Sequence, residues 1–240
     1  MLNDWKQFEW INLNIPDLET IEGDTRYYKV DETLHLPSMT SLLAQLDDGG
    51  VDKWRKRVGE EEADKVVREA TARGNNLHDL SERYLMNKLQ RKDVEGPATI
   101  LFNRSRKYLN QLGPIVAIEA ALYSKEYKYA GRVDCIAFHD KHLCIVDHKN
   151  SRRKIDLKKG YARKKLFSYM IQTCGYARAF HEMFPKLPKP THGILIFGNF
   201  DVMQSNMFKF ELEPLYKELD IVVDAYYGRC DIKTSKYFSL

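Results

Sequence analysis

The stretch GRVDCIAFHDKHLCIVDHKN, residues 131–150, sets two aspartates and a lysine inside apolar, strand-like runs. A carboxylate buried in such a run is costly unless a positive group holds it there. The runs on either side of Asp140-Lys141 read as two strands joined by a two-residue turn, with His139 facing His142. In that register Asp134 pairs with Asp147. Directly opposed residues share a face, with Cβ atoms about 5 Å apart. Lys149 points the same way as Asp147, roughly 7 Å further along the strand. One patch then holds two carboxylates and an ammonium. The other face carries Val133, Cys135, Ala137, Cys144 and Val146, an apolar core surface. Opposed like charges repel. A divalent cation reverses the sign, and two carboxylates with water oxygens suit Mg²⁺ or Mn²⁺. The lysine could then orient a water or stabilise charge building on a phosphate. A plainer arrangement is an Asp147–Lys149 salt bridge with Asp134 at a strand edge, and spacing alone leaves both open.

Several elements must position this patch. RYYKVDETLHL alternates as a short hairpin, and LPSMTSLLAQLDDGG follows it. Ser38 is placed to cap a helix, with Gly49-Gly50 as its stop. Asp52 is placed to cap a next helix beginning at Trp54. A helical pattern runs from Glu60 to about Gln90, with an interruption expected at Gly74, and Leu77, Leu80, Tyr84 and Leu85 form one stripe. Another helix is expected over about Pro97 to Leu112, ended by Gly113-Pro114. Three strand-like runs follow: IVAIEAALY, GRVDCIAF and HLCIVDHK. A helix from about Lys164 to Phe184, the strands HGILIFGNF and SNMFKFEL, and a helix from about Pro214 to Tyr227 complete the chain. The expected fold is α/β: a central mixed β-sheet flanked by helices, with an N-terminal helical region. Residues 1–113 supply the hairpin and helical region, and residues 114–240 the sheet-centred core, as one compact unit.

The chain has 240 residues, 43% hydrophobic and 30% charged, with net charge +4. Those are the values of an ordinary soluble globular protein with room for a sizeable core. So weak a basic excess identifies no partner by itself. No apolar run is long enough to span a bilayer, and the N-terminal stretch resembles neither a signal nor a transit peptide. The expected location is cytoplasmic (the host cytoplasm, were the chain phage-encoded), with no membrane partner and a monomeric state. Cys135, Cys144, Cys174 and Cys230 have no CxxC spacing and read as small core residues in a reducing compartment.

GRVD followed by IVDHKNS resembles the G-x-x-D and D-x-K elements of the PD-(D/E)XK nuclease superfamily, on Gly131, Asp134, Asp147 and Lys149. His78 in GNNLHDLSERYL resembles the upstream helix histidine of the RecB-like branch. Gln172 and Tyr176 in QTCGY resemble its Q-x-x-x-Y element, and Glu119 matches an acidic residue of the first strand. LPSMTSLL is similar to an entry motif of mitochondrial genome maintenance exonucleases and their phage relatives. Each element alone is weak; together, in order and on the expected elements, they are specific. The chain departs from the branch's iron–sulfur members, having no cysteine before Cys135 and only Cys230 late, so no iron–sulfur cluster is expected.

The resemblance implies a restriction-endonuclease-like core and a Mg²⁺- or Mn²⁺-dependent DNA exonuclease acting at DNA ends, with single-stranded DNA preferred. The alternatives are a structure-specific endonuclease and a non-catalytic DNA-binding module. It implies metal ligation by Asp134, Asp147, His78 and the carbonyl of His148. Lys149 would position water or neutralise charge, with Glu119 holding a second metal or orienting Lys149. Lys165, Tyr169, Gln172 and Tyr176 recur on one helix face: amphipathic packing, or a wall facing DNA, with Gln172 near Lys149. RRKIDLKKGYARKK, from Arg152 to Lys165, is densely cationic beside the motif. It is either a solvated loop or a phosphate-tracking segment in which Arg152, Arg153, Lys154, Lys158, Lys159 and Lys165 contact DNA.

Overall fold

The computed structural model describes residues 5–47, 49–96, 99–152, 154–201 and 205–240. Strands β1 (Glu19–Ile21), β2 (Tyr27–Lys29) and β3 (His35–Pro37) form a small antiparallel sheet in chain order. Its β2–β3 hairpin is the one legible in RYYKVDETLHL. Asp31 closes the turn, its Oδ1 accepting from the N–H groups of Thr33 and Leu34 at 3.0 and 2.9 Å. Helix α1 (Met39–Leu43) starts as expected, with the Ser38 side chain accepting from Ser41 N–H at 3.0 Å. It stops well before Gly49-Gly50, passing into a tight turn at Ala44–Leu46. Gly49, at φ 73°, instead leads into α2 (Gly50–Val58), which begins ahead of Trp54 and carries Asp52 in its first turn.

Helix α3 (Glu60–Leu85) opens on three glutamates, which favour the positive end of the helix dipole. It runs through Gly74 without a break, contrary to the sequence expectation. The glycine serves close packing: a Cβ there would meet Asn150 Nδ2 at 2.5 Å. Helix α4 spans Ile100–Leu109, and its expected start at Pro97 lies outside the described residues.

The central sheet begins with an antiparallel meander of β4 (Ile115–Ser124), β5 (Tyr129–His139) and β6 (His142–Ser151). Helix α5 (Gly160–Met183) then crosses over, so β7 (His192–Asn199) lies parallel to β6. Strand β8 (Asn206–Glu211) closes the sheet antiparallel, and α6 (Tyr216–Tyr226) follows a tight turn at Glu213–Leu215. Among the described residues the sheet order is β4-β5-β6-β7-β8. It is the mixed, helix-flanked sheet that the sequence predicts. Helix α5 starts at Gly160, ahead of the expected Lys164, because the side chain of Arg163 donates to the carbonyls of Leu157 and Lys158 and organises the entry turn. Dense charge hid that start.

Two cores sandwich the sheet. On one face α3 and α4 bring Leu77, Leu80, Phe102 and Leu109 against Cys135, Ala137, Cys144 and Val146. On the other, α1, α5 and α6 bring Met39, Ile171, Phe180 and Leu219 against Ile136 and Ile145. Each of the fully buried leucine, isoleucine, phenylalanine and methionine side chains contributes about 1.5–3 kcal/mol. Cys135, Cys144 and Cys174 are buried within this packing and Cys230 is exposed. Burial pushes the Cys174 thiol up to about 12, as befits a packing group. Among the described residues no helix is long and apolar enough to cross a membrane.

Candidate functional site

The β5–β6 turn places Asp140 and Lys141 at φ 49° and 67°, the left-handed pair that a two-residue hairpin needs. His139 faces His142, and the ladder runs in that register to Cys135–Val146. The next rung, Asp134–Asp147, is not formed. Instead Asp134 Oδ2 accepts the backbone N–H of His148 at 2.6 Å, so a side chain replaces the rung. On the other side of β5, Ile118 pairs with Cys135 and Ala120 with Val133, while Glu119, at φ 48°, drops out of the ladder. A non-glycine residue held there stores backbone strain. The alternation of β5 breaks at the same point: Val133 packs in the α5-side core and Cys135 in the α3-side core. The expected Asp134–Asp147 rung and the expected shared face for Val133 and Cys135 are therefore corrected, while Asp134, Asp147 and Lys149 stay near enough to act on one another's charge. The sheet opens at Asp134, and chemical groups gather on both of its sides.

Toward α3, one nitrogen each of His78 and His148 and one oxygen of Asp134 all lie within 4.8 Å of one another. His78 Nδ1 and His148 Nδ1 are each 3.5 Å from Asp134 Oδ2. The imidazoles meet edge-on, with centroids 5.8 Å apart. Sequence reasoning offered His148 through its carbonyl and missed its ring. Alternation carried the signal: the residue between Asp147 and Lys149 must face α3, where His78 lies.

Toward α5, Lys149 Nζ donates to Asp147 Oδ1 at 3.0 Å and to Gln172 Oε1 at 3.1 Å. Gln172 Nε2 in turn donates to the Tyr176 hydroxyl at 2.9 Å. Lys149 Nζ also sits 4.5 Å from the centre of the Tyr169 ring. Asp147 is 1% exposed, and its Oδ2 lies 2.7 Å from Lys149 Nζ, so both carboxylate oxygens face the ammonium. Gly131 makes room for Tyr176: a Cβ there would lie 2.6 Å from the ring's Cε1.

The electrostatics follow from burial and neighbours. Burial opposes ionisation of Asp134, yet His78, the side chain of His148 and Lys149 together hold its carboxyl below the usual range. Asp147 is pushed up, chiefly by burial and further by Asp134, with Lys149 pulling the other way. Burial works against the charged form of Lys149, but the Asp147 and Asp134 carboxylates outweigh it and hold the ammonium above its ordinary value. Glu119 is raised to about 7 by burial and then by Asp134. Its side chain lines an open cleft of about 610 Å³ with His78, Asp134 and Arg132. That places it on the His78 side rather than among the partners of Lys149.

The basic segment divides. Lys154, Lys158, Lys159 and Lys165 are exposed. Arg152 is tied to Asp201, Nε to Oδ2 at 2.9 Å. Arg153 lies outside the described residues.

No protein-family model matches the chain. Two curated relatives do. A mitochondrial genome maintenance exonuclease 1 of Xenopus tropicalis is 26% identical over 128 residues, covering 49% of this chain and 37% of its own. That of Mus musculus is 24% identical over 130 residues, covering 49% and 38%. This distant similarity supports a nuclease family. The alignments span less than two-fifths of the length of those relatives. Among solved chains, the one described as the crystal structure of SSO0001 overlays with TM-score 0.40 and 14% identity, over 79% of this chain and 76% of that one, too loosely to carry an argument.

Proposed function

We propose that the chain is a divalent-metal-dependent deoxyribonuclease of the PD-(D/E)XK type, RecB-like branch, hydrolysing phosphodiester bonds at DNA ends with single strands preferred. One observation carries the reading: the buried Asp147–Lys149–Gln172 line abuts the convergent donors of His78, Asp134 and His148. The donor set fits a divalent cation. It offers a carboxylate, two imidazoles and, beside them, the buried Asp147 carboxylate paired with Lys149. Mg²⁺ or Mn²⁺ held there would supply Lewis acidity toward a phosphate oxygen and ease the ionisation of a water.

The chain's own groups do the rest. Lys149 is held protonated, so at neutral pH it donates and does not accept a proton. Its ammonium orients a water or neutralises charge growing on the phosphate. Gln172 and Tyr176 are positioning residues, fixing that ammonium through the Gln172 oxygen. Tyr169, on the helix that carries Gln172 and Tyr176 and packed against the lysine, is available to stack on a base. The exposed lysines of the basic segment would track phosphates. The N-terminal region and the sheet act as one unit in this reading, because His78 comes from α3 and Asp134 from β5.

The test is digestion of end-labelled linear DNA beside closed single-stranded circles, with Mg²⁺, Mn²⁺ or chelator. Linear DNA should be shortened from an end only when metal is present, with circles left whole. Cut circles would move the assignment to a structure-specific endonuclease. Metal-dependent binding with no cleavage would reduce it to a DNA-binding module.

A further inference from the structure

We infer that the imidazole of His148 is itself a metal donor, and that the resulting pair of imidazoles makes the centre favour a first-row transition ion over Mg²⁺. The inference rests on the metal-centred reading above and deepens it.

His148 is 3% exposed. It faces the α3 side, where neighbouring strand positions hold Cys144 and Val146, residues suited to an apolar core. A histidine in such a place needs partners for both ring nitrogens. Nε2 has no hydrogen bond among the described residues. Nδ1 stands 3.5 Å from Asp134 Oδ2, beyond a good hydrogen bond, and His78 Nδ1 stands at the same 3.5 Å from the same oxygen. Two rings from different elements thus converge on one carboxylate oxygen, each at a distance too long for a strong hydrogen bond.

The backbone explains why the ring can reach. Asp134 accepts the His148 N–H at 2.6 Å, which draws residue 148 against the carboxylate at the point where the ladder opens. In an unbroken ladder Asp134 would sit opposite Asp147 instead of reaching the His148 N–H.

Donor type then sets ion preference. Mg²⁺ is a hard ion that seeks oxygen ligands and retains its waters. Imidazole nitrogens bind first-row transition ions better, with affinity rising along the series from Mn²⁺. Removing a residue that merely supports a metal ligand costs about 10–100-fold in affinity, so removing a direct ligand should cost at least about tenfold.

The experiment uses the full chain without DNA. Mn²⁺ binding is followed by electron paramagnetic resonance, Mg²⁺ by competition, and coordinated nitrogens are counted by electron spin echo modulation. The wild type should show two imidazole couplings and bind Mn²⁺ more tightly than Mg²⁺. His148→Asn, which keeps a buried polar side chain, should lose one coupling and about tenfold or more in Mn²⁺ affinity, with Mg²⁺ changed less than about twofold. Thermal unfolding in chelator checks that this variant is folded. If it is not, His78→Asn answers the same question, since one coupling, from His148, should remain. A single wild-type coupling that vanishes in His78→Asn, or equal weakening of both ions in His148→Asn, overturns the inference while the metal-centred reading stands. A wild-type protein that binds neither ion sinks both.

Discussion

Lys149 and Gln172 meet at 3.1 Å, ammonium to amide oxygen, across the gap between β6 and α5. The contact fixes where the positive charge sits relative to Asp147, and the far end of the amide is held by Tyr176. Gln172→Leu should therefore cost about 1.5–3 kcal/mol of stability, since the lost bond is to a charged group. Single-turnover cleavage should slow as well, with little change in DNA affinity. Tyr176→Phe, losing a neutral bond, should cost only about 0.5–1.5 kcal/mol. Denaturant titrations of both variants check the order.

Gly131→Ala tests how closely the same line is packed. The new methyl would sit 2.6 Å from the Tyr176 ring. Overpacking of this kind costs about 1–3 kcal/mol. Pairing it with Tyr176→Leu should recover part of that loss, so the two changes should be non-additive in a double-mutant cycle.

The pH dependence of the metal-free protein follows from Glu119, raised to about 7 from an ordinary glutamate value by burial and Asp134. The folded state holds this proton more tightly than the unfolded chain does. Its contribution is thus complete below the unfolded pKa and is lost as pH rises through about 7. In chelator, Glu119→Gln should flatten the fall in stability between about pH 4.5 and 7. Urea unfolding across that window shows it, and an unchanged slope would place Glu119 in open solvent.

Salt dependence should separate the basic residues. Lys158 and Lys159 are exposed, whereas Arg152 is engaged with Asp201. Replacing both lysines with alanine should lower the log–log salt slope of single-strand binding by up to about 1.4, roughly 0.7 for each lost phosphate contact. Arg152→Ala should lower it by less. Fluorescence anisotropy over a salt series compares them.

At Gly74 helix propensity and packing oppose each other. Alanine should gain about 1 kcal/mol of helix propensity, but its methyl meets the Asn150 amide at 2.5 Å. Because that contact is the movable end of a side chain, Gly74→Ala should gain less than this in the wild type and the full amount in an Asn150→Ala background. Thermal melts of the four proteins test the difference.

The sequence carried much of this arrangement. The β5–β6 register was legible because a two-residue turn at Asp140-Lys141 fixes it, and the helix carrying His78 was legible from its leucine stripe. The failures lie where a tertiary contact overrides a local rule. Gly74 reads as a helix breaker, but its missing side chain admits Asn150. The Asp134–Asp147 rung follows from strict pairing, and a hydrogen bond from the His148 backbone replaces it. Nothing in the VAIEAAL run announces that Glu119 leaves its ladder. The start of α5 is hidden because Arg163 and the preceding carbonyls organise a turn that reads as charge alone.

The bond between Asp134 and the His148 N–H also bears on how such a chain could change over generations. Position 134 has two duties, closing the sheet and presenting an oxygen to the cleft. A change to alanine would leave a buried N–H orphaned as well as removing the oxygen. Lys149 hangs from its strand with no part in the ladder's own side-chain substitute, so its loss would spare that repair. A lineage drifting from cutting toward merely holding its substrate would then shed the lysine first and keep the aspartate as masonry. An intact aspartate at 134 is accordingly weak testimony to activity, and an intact lysine at 149 is the better witness.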